Sequence, residues 1–237
     1  SQPLSVSPSV ELVGAAWTHK RPSRSVLSDA IGPLEATGKI RIVVGHGPVD
    51  AVLGSLNDEP STIRLAEVEA AIAGGAIHYV ALGDRHSTTR VGESGRVWYA
   101  GTPEPTRFDE VDPGNVLIVE VDGHGHCEVE KVRIAQWQFI NHEATLTEAD
   151  DVAALKHFFT QLEDKPRTGV RLVLSGTLTV RDHAALEDLL ESERQSLAAL
   201  EVMRDRSDLV VRPDDFDFES FGLGGFARSA LLELQHL

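Results

Sequence analysis

The fold of this 237-residue chain is most narrowly limited by a strand, a helix and a second strand in quick succession. Residues 40–44 are rich in β-branched side chains, and residues 77–82 form a continuous apolar run stopped by Gly83. Between them, Ile63, Ala66, Ala70 and Ala73 recur at helical spacing over 62–73, with Leu65, Val68 and Ile72 broadening the stripe. Gly74-Gly75 ends that helix. Apolar strands that do not alternate are buried on both faces, which predicts parallel neighbours joined by a crossover helix. Such a β-α-β unit brings the carboxyl ends of both strands to one edge of the sheet, where α/β folds build their sites. Upstream, 11–17 reads as a short strand and 25–36 as a helix capped by Ser25 and stopped by Gly38. Residues 1–9, rich in Ser and Pro, read as a frayed lead-in.

After residue 87 the texture turns antiparallel. Gly92-Glu93-Ser94-Gly95 joins 88–91 to 96–100, and Asp122-Gly123-His124-Gly125 joins 116–121 to 127–139, two hairpin signatures. Residues 140–146 read as a boundary. Beyond it come a helix over 147–162 with Thr147 as cap and Asp150 at its third position, a strand over 170–174 and an amphipathic helix over 181–200. A strand over 208–211 and a short helix running to Leu234 after Gly224-Gly225 complete the series. The expected organisation is an α/β domain over 1–143 and a small α+β domain over 144–237.

Charge restricts the partners. There are 22 Lys and Arg against 37 Asp and Glu, a net −15, and both parts are acidic. Such a chain repels nucleic-acid phosphate at long range, so phosphate chemistry here needs cations held locally. No apolar run approaches a membrane span, and no signal peptide is visible at the start. Cys127, the one cysteine, forms no internal disulfide, which makes the cytoplasm the default compartment.

Several motifs fail on spacing. Gly32 to Gly38-Lys39 has five intervening residues where a phosphate loop has four, and Ile40 replaces its Ser or Thr. Gly92-Glu93-Ser94-Gly95 puts Arg96 where a nucleophile elbow needs glycine. Asp122, His124, His126 and Cys127 offer ligand types from one exposed turn, for which a polar turn is the preferred reading. One constellation survives. His46 follows the first strand in Val44-Gly45-His46-Gly47, and Asp84 and His86 follow the second in Gly83-Asp84-Arg85-His86. The glycines let the chain turn sharply at both strand ends. Two imidazoles and a carboxylate suit Mn, Fe or Zn, and Arg85 between them is placed to clamp a phosphate oxygen. Arg85, Arg90, Arg96 and Arg107 together suggest a local basic strip, against the plainer reading of solvated hairpin faces.

From about residue 10 to 139 the chain resembles the latter part of a calcineurin-like metallophosphoesterase, in the SbcD-like DNA repair exonuclease branch. The resemblance is carried by Gly45-His46-Gly47, Tyr79-Val80-Ala81-Leu82-Gly83-Asp84-Arg85-His86, the run from Val97 through Gly101-Thr102-Pro103-Glu104-Pro105-Thr106, and Gly114-Asn115-Val116 with its strand. Leu174-Ser175-Gly176-Thr177 and the run from Phe221 to Ala227 are similar to the small capping domain that follows in these nucleases. The implied fold is the second half of a two-sheet sandwich followed by a capping α+β domain.

By the same resemblance His46 and Asp84 bind the second of two divalent ions and His86 the first. Manganese is the expected ion, with iron, zinc or magnesium as alternatives. The family commonly has His where Asp84 stands, and that oxygen donor favours a harder ion or weakens the site. The implied activity is phosphodiester hydrolysis at DNA ends, and the implied partners are DNA, a second copy in a homodimer and a coiled-coil ATPase of the SbcC-like kind. The family's opening blocks, Asp-x-His, the Gly-Asp with the bridging carboxylate and Gly-Asn-His, have no counterpart ahead of His46. This chain therefore offers three of roughly six protein ligands and no general-acid His. It reads as the later part of a longer parent and is expected to be inactive alone. A scaffold or dimerisation module and a small-molecule phosphoesterase are the alternatives.

Overall fold

A computed structural model describes residues 2–53 and 59–213 of the chain. The run 221–227 and the helix expected to reach Leu234 lie outside the described residues. The chain divides into two compact units, Ser1–Phe139 and Ile140–Leu237, so the division falls four residues ahead of the 143/144 boundary read from sequence.

The first unit is built on a six-stranded sheet. Its strands are β1 (Leu4–Ser7), β2 (Val10–Ala15), β3 (Ile40–His46), β4 (Tyr79–Gly83), β5 (Thr89–Val91) and β6 (Val97–Tyr99), in the order β1-β2-β3-β4-β6-β5. β2, β3, β4 and β6 run parallel, with Val43 opposite Val13 and Val80 and with Val80 opposite Val97. The lead-in is not frayed: β1 pairs antiparallel with β2, Leu4 opposite Leu12. The first hairpin forms, Val91 opposite Val97, but β6 also adds to the parallel strands and makes the sheet mixed.

The helices of this unit are shorter than expected. α1 (Val26–Ile31) begins at Ser25, whose side chain accepts from the Ser28 N–H, and ends at Gly32 instead of Gly38. Pro33, with no N–H to give and no tolerance for helical geometry ahead of it, explains the early stop. A single turn, α2 (Asp50–Leu53), precedes α3 (Leu65–Ala73). In α3 the buried face is not the alanine stripe: Val68 and Ile72 are buried, whereas Ala66, Ala70 and Ala73 face water. The larger side chains remove more apolar area from water and so decide which way the helix turns.

Val13, Ala15, Val43, Val80, Leu82, Val97 and Tyr99 from one face of the sheet form the core with Leu27, Ala30, Ile31, Val68 and Ile72. On the opposite face of β1–β3, Leu4, Val6 and Val44 are exposed among the described residues. Under the sheet, Arg41 is buried. It donates to Glu11 Oε2 at 2.8 Å, to Ala76 O at 3.2 Å and to Glu35 O. A separate hairpin, β7 (Asn115–Val121) and β8 (Cys127–Arg133), pairs Val121 with Cys127. Asp122 Oδ1 closes its turn by accepting from the His124 and His126 N–H groups, which is a polar turn.

β8 stops at Arg133, and the stretch read as a boundary is β9 (Gln138–Leu146), whose later residues belong to the second unit. There β10 (Thr168–Thr179) pairs with β9 and runs parallel to β11 (Ala199–Val202) and β12 (Asp208–Arg212). Met203 N–H donates to Leu172 O, and Leu174 N–H donates to Ser207 Oγ, so β11 and β12 follow one edge of β10 end to end. α4 (Ala149–Thr160) and α5 (Val180–Arg194) supply Leu155, Phe159, Leu186 and Leu190 to a core with Leu146, Leu172 and Leu178. The α4 cap is Glu148 with Asp151, one residue later than the Thr147–Asp150 reading, and Thr147 donates to Asp151 instead. α5 ends six residues early because 199–202 joins the sheet. Gly176, at φ +113°, is required where a Cβ would lie 2.2 Å from Leu146 O.

The result is a mixed α/β protein with several sheets, and no helix among the described residues is long and apolar enough to cross a membrane.

Candidate functional site

The parallel register sets the site. His46, the last residue of β3, lies opposite Gly83, the last of β4. Gly47 N–H donates to Gly83 O at 3.3 Å, and Tyr99 Oη donates to Gly47 O at 2.7 Å, tying three strand ends together. Burial pushes the Tyr99 phenol well above its ordinary range, with the Asp84 charge adding to it, so this group is a fixed donor. The Trp17 ring stands edge-on to His46 at 5.0 Å between centroids. Gly83 makes room for the imidazole, since a Cβ there would sit 2.9 Å from His46 Nδ1.

Immediately after Gly83, Asp84 adopts φ +104°, a conformation that side-chain-bearing residues rarely take. This turn brings Asp84 Oδ1 to 3.6 Å from His46 Nε2, with both side chains about half exposed. Two donors at about 2.1 Å from one ion lie about 3.0–3.4 Å apart at ordinary coordination angles, so the pair is within a few tenths of an ångström of joint ligation. Two donors are not a cage, however. Among the described residues no group of three or more His, Cys, Asp or Glu side chains is arranged to hold a metal ion. The expected trio is therefore brought together only as His46 with Asp84.

His86 belongs to a second cluster. Its Nδ1 lies 2.8 Å from Glu110 Oε1 and 2.8 Å from Thr106 Oγ1. Glu110 Oε2 accepts from Thr106 N–H at 2.8 Å, and Oε1 accepts from the Thr106 hydroxyl. The Glu110 side chain is only 5% exposed, whereas the His86 ring is 49% exposed. Burial by itself raises the Glu110 carboxyl, but hydrogen bonds from Thr106, His86 and the Arg107 N–H outweigh it and bring the group down to about 2. The loops are stitched around this pair: Thr102 N–H donates to His86 O at 2.9 Å, and Val111 N–H donates to Ser87 Oγ at 2.9 Å.

Asp84, Arg85, His86, Arg107, Asp109 and Glu110 line an open cleft of about 330 Å³. Arg85 Nε donates to Thr89 Oγ1 at 2.8 Å, and Arg107 pairs with Asp109 at 2.8 Å. Arg90 donates to Glu93 O in its own hairpin. Sequence reasoning missed Glu110. Its spacing four residues after Thr106 fits a side-chain-closed turn, but its pairing with a histidine 24 residues away leaves no local mark. At the strand ends an imidazole and a carboxylate lie 3.6 Å apart, and Asp84 shares its cleft with the His86–Glu110 pair and with Arg85 and Arg107. No protein-family model matches the chain, and no curated protein matches it.

Proposed function

We propose that this chain is the later part of a metal-dependent phosphodiesterase, a DNA-end nuclease built as a two-sheet sandwich with a capping domain. The observation that carries the reading is the 3.6 Å approach of His46 Nε2 to Asp84 Oδ1, delivered by the adjacent carboxyl ends of two parallel strands. In this reading His46 and Asp84 are ligands of one ion, His86 of its neighbour, and the remaining ligands come from the parent protein outside this chain. Two such ions, held in part by these residues, would supply an activated water and neutralise the leaving oxygen. Arg85 steadies a phosphate oxygen at the cleft, against the net −15 of the whole. Manganese, a homodimer and a coiled-coil ATPase partner follow from the same family reading.

The test is Mn²⁺-stimulated hydrolysis of linear duplex DNA and of bis(p-nitrophenyl) phosphate by the full-length gene product, with His46→Ala and Asp84→Ala as controls. Hydrolysis should fall at least 100-fold in either variant, while the 237-residue chain alone turns over neither substrate. A full-length protein that hydrolyses neither substrate with Mn²⁺ overturns the reading in favour of a scaffold. Hydrolysis of the small diester alone selects the small-molecule phosphoesterase.

A further inference from the structure

We propose that Glu110 is the positioning residue of the site: its carboxylate accepts the His86 Nδ1–H, fixes the ring in one tautomer and presents Nε2, as a lone pair, to the cleft. The hydrogen bonds leave one consistent assignment. The single Thr106 hydroxyl proton is committed to Glu110 Oε1, so Thr106 Oγ1 cannot also donate to His86 Nδ1. An imidazole lone pair aimed at a carboxylate oxygen 2.8 Å away would be repelled, so Nδ1 must carry the proton. Glu110 is itself immobilised by Thr106 N–H and is nearly buried, whereas the ring it holds is half exposed. A carboxylate behind a histidine orients the ring and raises the basicity of the outward nitrogen, the arrangement found behind metal-ligating histidines.

The link to an ion rests on the phosphodiesterase reading, but the tautomer does not. The molecule carries its own reference, because His78 Nδ1 accepts the Arg41 N–H at 3.0 Å and so must hold its proton on Nε2. His78 and His86 should therefore be opposite tautomers.

The experiment is a long-range proton–nitrogen NMR spectrum of the ¹⁵N-labelled 237-residue chain without metal, with a separate titration of the full-length gene product with Co²⁺ alone. In the wild type, His86 should appear as a single Nδ1–H form and His78 as the Nε2–H form. Glu110→Ala should shift His86 to a mixture in which Nε2–H predominates and leave His78 unchanged, and Glu110→Gln, whose amide oxygen still accepts, should restore the Nδ1–H form. A wild-type His86 in the Nε2–H form overturns the proposal whether or not the alanine variant folds. So does a Glu110→Ala spectrum with His86 unaltered beside an intact His78 signal. Co²⁺ affinity should drop about 10–100-fold in Glu110→Ala and less in Glu110→Gln. Should the tautomers behave as stated while the full-length gene product binds no Co²⁺, the positioning role stands and the metal reading fails.

Discussion

Asp84 sits at φ +104°, where the Cβ of any L-residue crowds the backbone and glycine alone is at ease. Its partner does little to repay this, since a contact with His46 at 3.6 Å between half-exposed groups contributes little to stability. Asp84→Gly should therefore raise stability by about 0.5–1 kcal/mol in urea unfolding while removing the carboxylate beside His46. An unchanged or lowered midpoint would show that the turn is not strained. The opposite sign applies at Glu110. Its folded carboxyl titrates at about 2, below the ordinary 4.5, so between these values the unfolded chain takes up a proton that the folded one refuses. Its stabilising contribution is complete above about pH 4.5 and disappears as the pH falls through about 2. Glu110→Gln should cost about 1–3 kcal/mol at pH 7, and its difference from wild type should shrink steadily in urea midpoints taken from pH 5 down to pH 2. A difference independent of pH would exclude the carboxylate as its source.

The elements repeat this contrast between covered and open positions. Val43 and Val44 are neighbours on β3, yet the first is 0% exposed in the core shared with α1 and α3 and the second 50% exposed on the opposite face. Replacing valine by threonine changes shape little and adds one hydroxyl. Val43→Thr should cost about 1.5–2 kcal/mol and Val44→Thr less than about 0.5, as read from thermal unfolding. Equal costs would mean that something covers the second face. The parallel β3 and β4 were legible because an apolar run stopped by glycine needs no partner in view to be recognised. The face of α3 was not, because periodicity marks two overlapping stripes and only packing against the sheet chooses Val68 and Ile72 over the alanines. β11 was hidden for a related reason: Leu197 and Leu200 continue the helical spacing of α5, but pairing with β10 competes successfully for 199–202. At the site, the glycines beside His46 and Asp84 announced a sharp turn at each strand end. Glu110 gave no such sign, since its partner comes from an irregular loop remote in sequence.

For the whole molecule, the decisive fact is that each unit buries a core of its own. The first gathers Val13, Val43, Val80 and Tyr99, and the second gathers Leu146, Phe159, Leu172 and Leu178. β9 is the covalent passage between them, and its side chains divide accordingly. Phe139 stacks on Phe108 at 4.8 Å in the first unit, whereas His142 stacks on Phe158 at 3.8 Å in the second. A chain with two separate cores can lose one without the other, because cooperativity extends only as far as shared buried contacts. Leu172, 0% exposed on the central strand of the second unit, is the place to test this. Leu172→Ala should remove about 2–5 kcal/mol from that unit through the lost methyl groups and the cavity left behind. In hydrogen exchange, amides of β10 and α5 should lose protection, while those of β3 and β4 keep theirs. The same variant should leave the His46–Asp84 pair and the His86 tautomer unaltered, because both are fixed by strands and loops of the first unit. Simultaneous loss of protection throughout would instead define a single cooperative structure, in which a site variant and a core variant could not be told apart by stability alone.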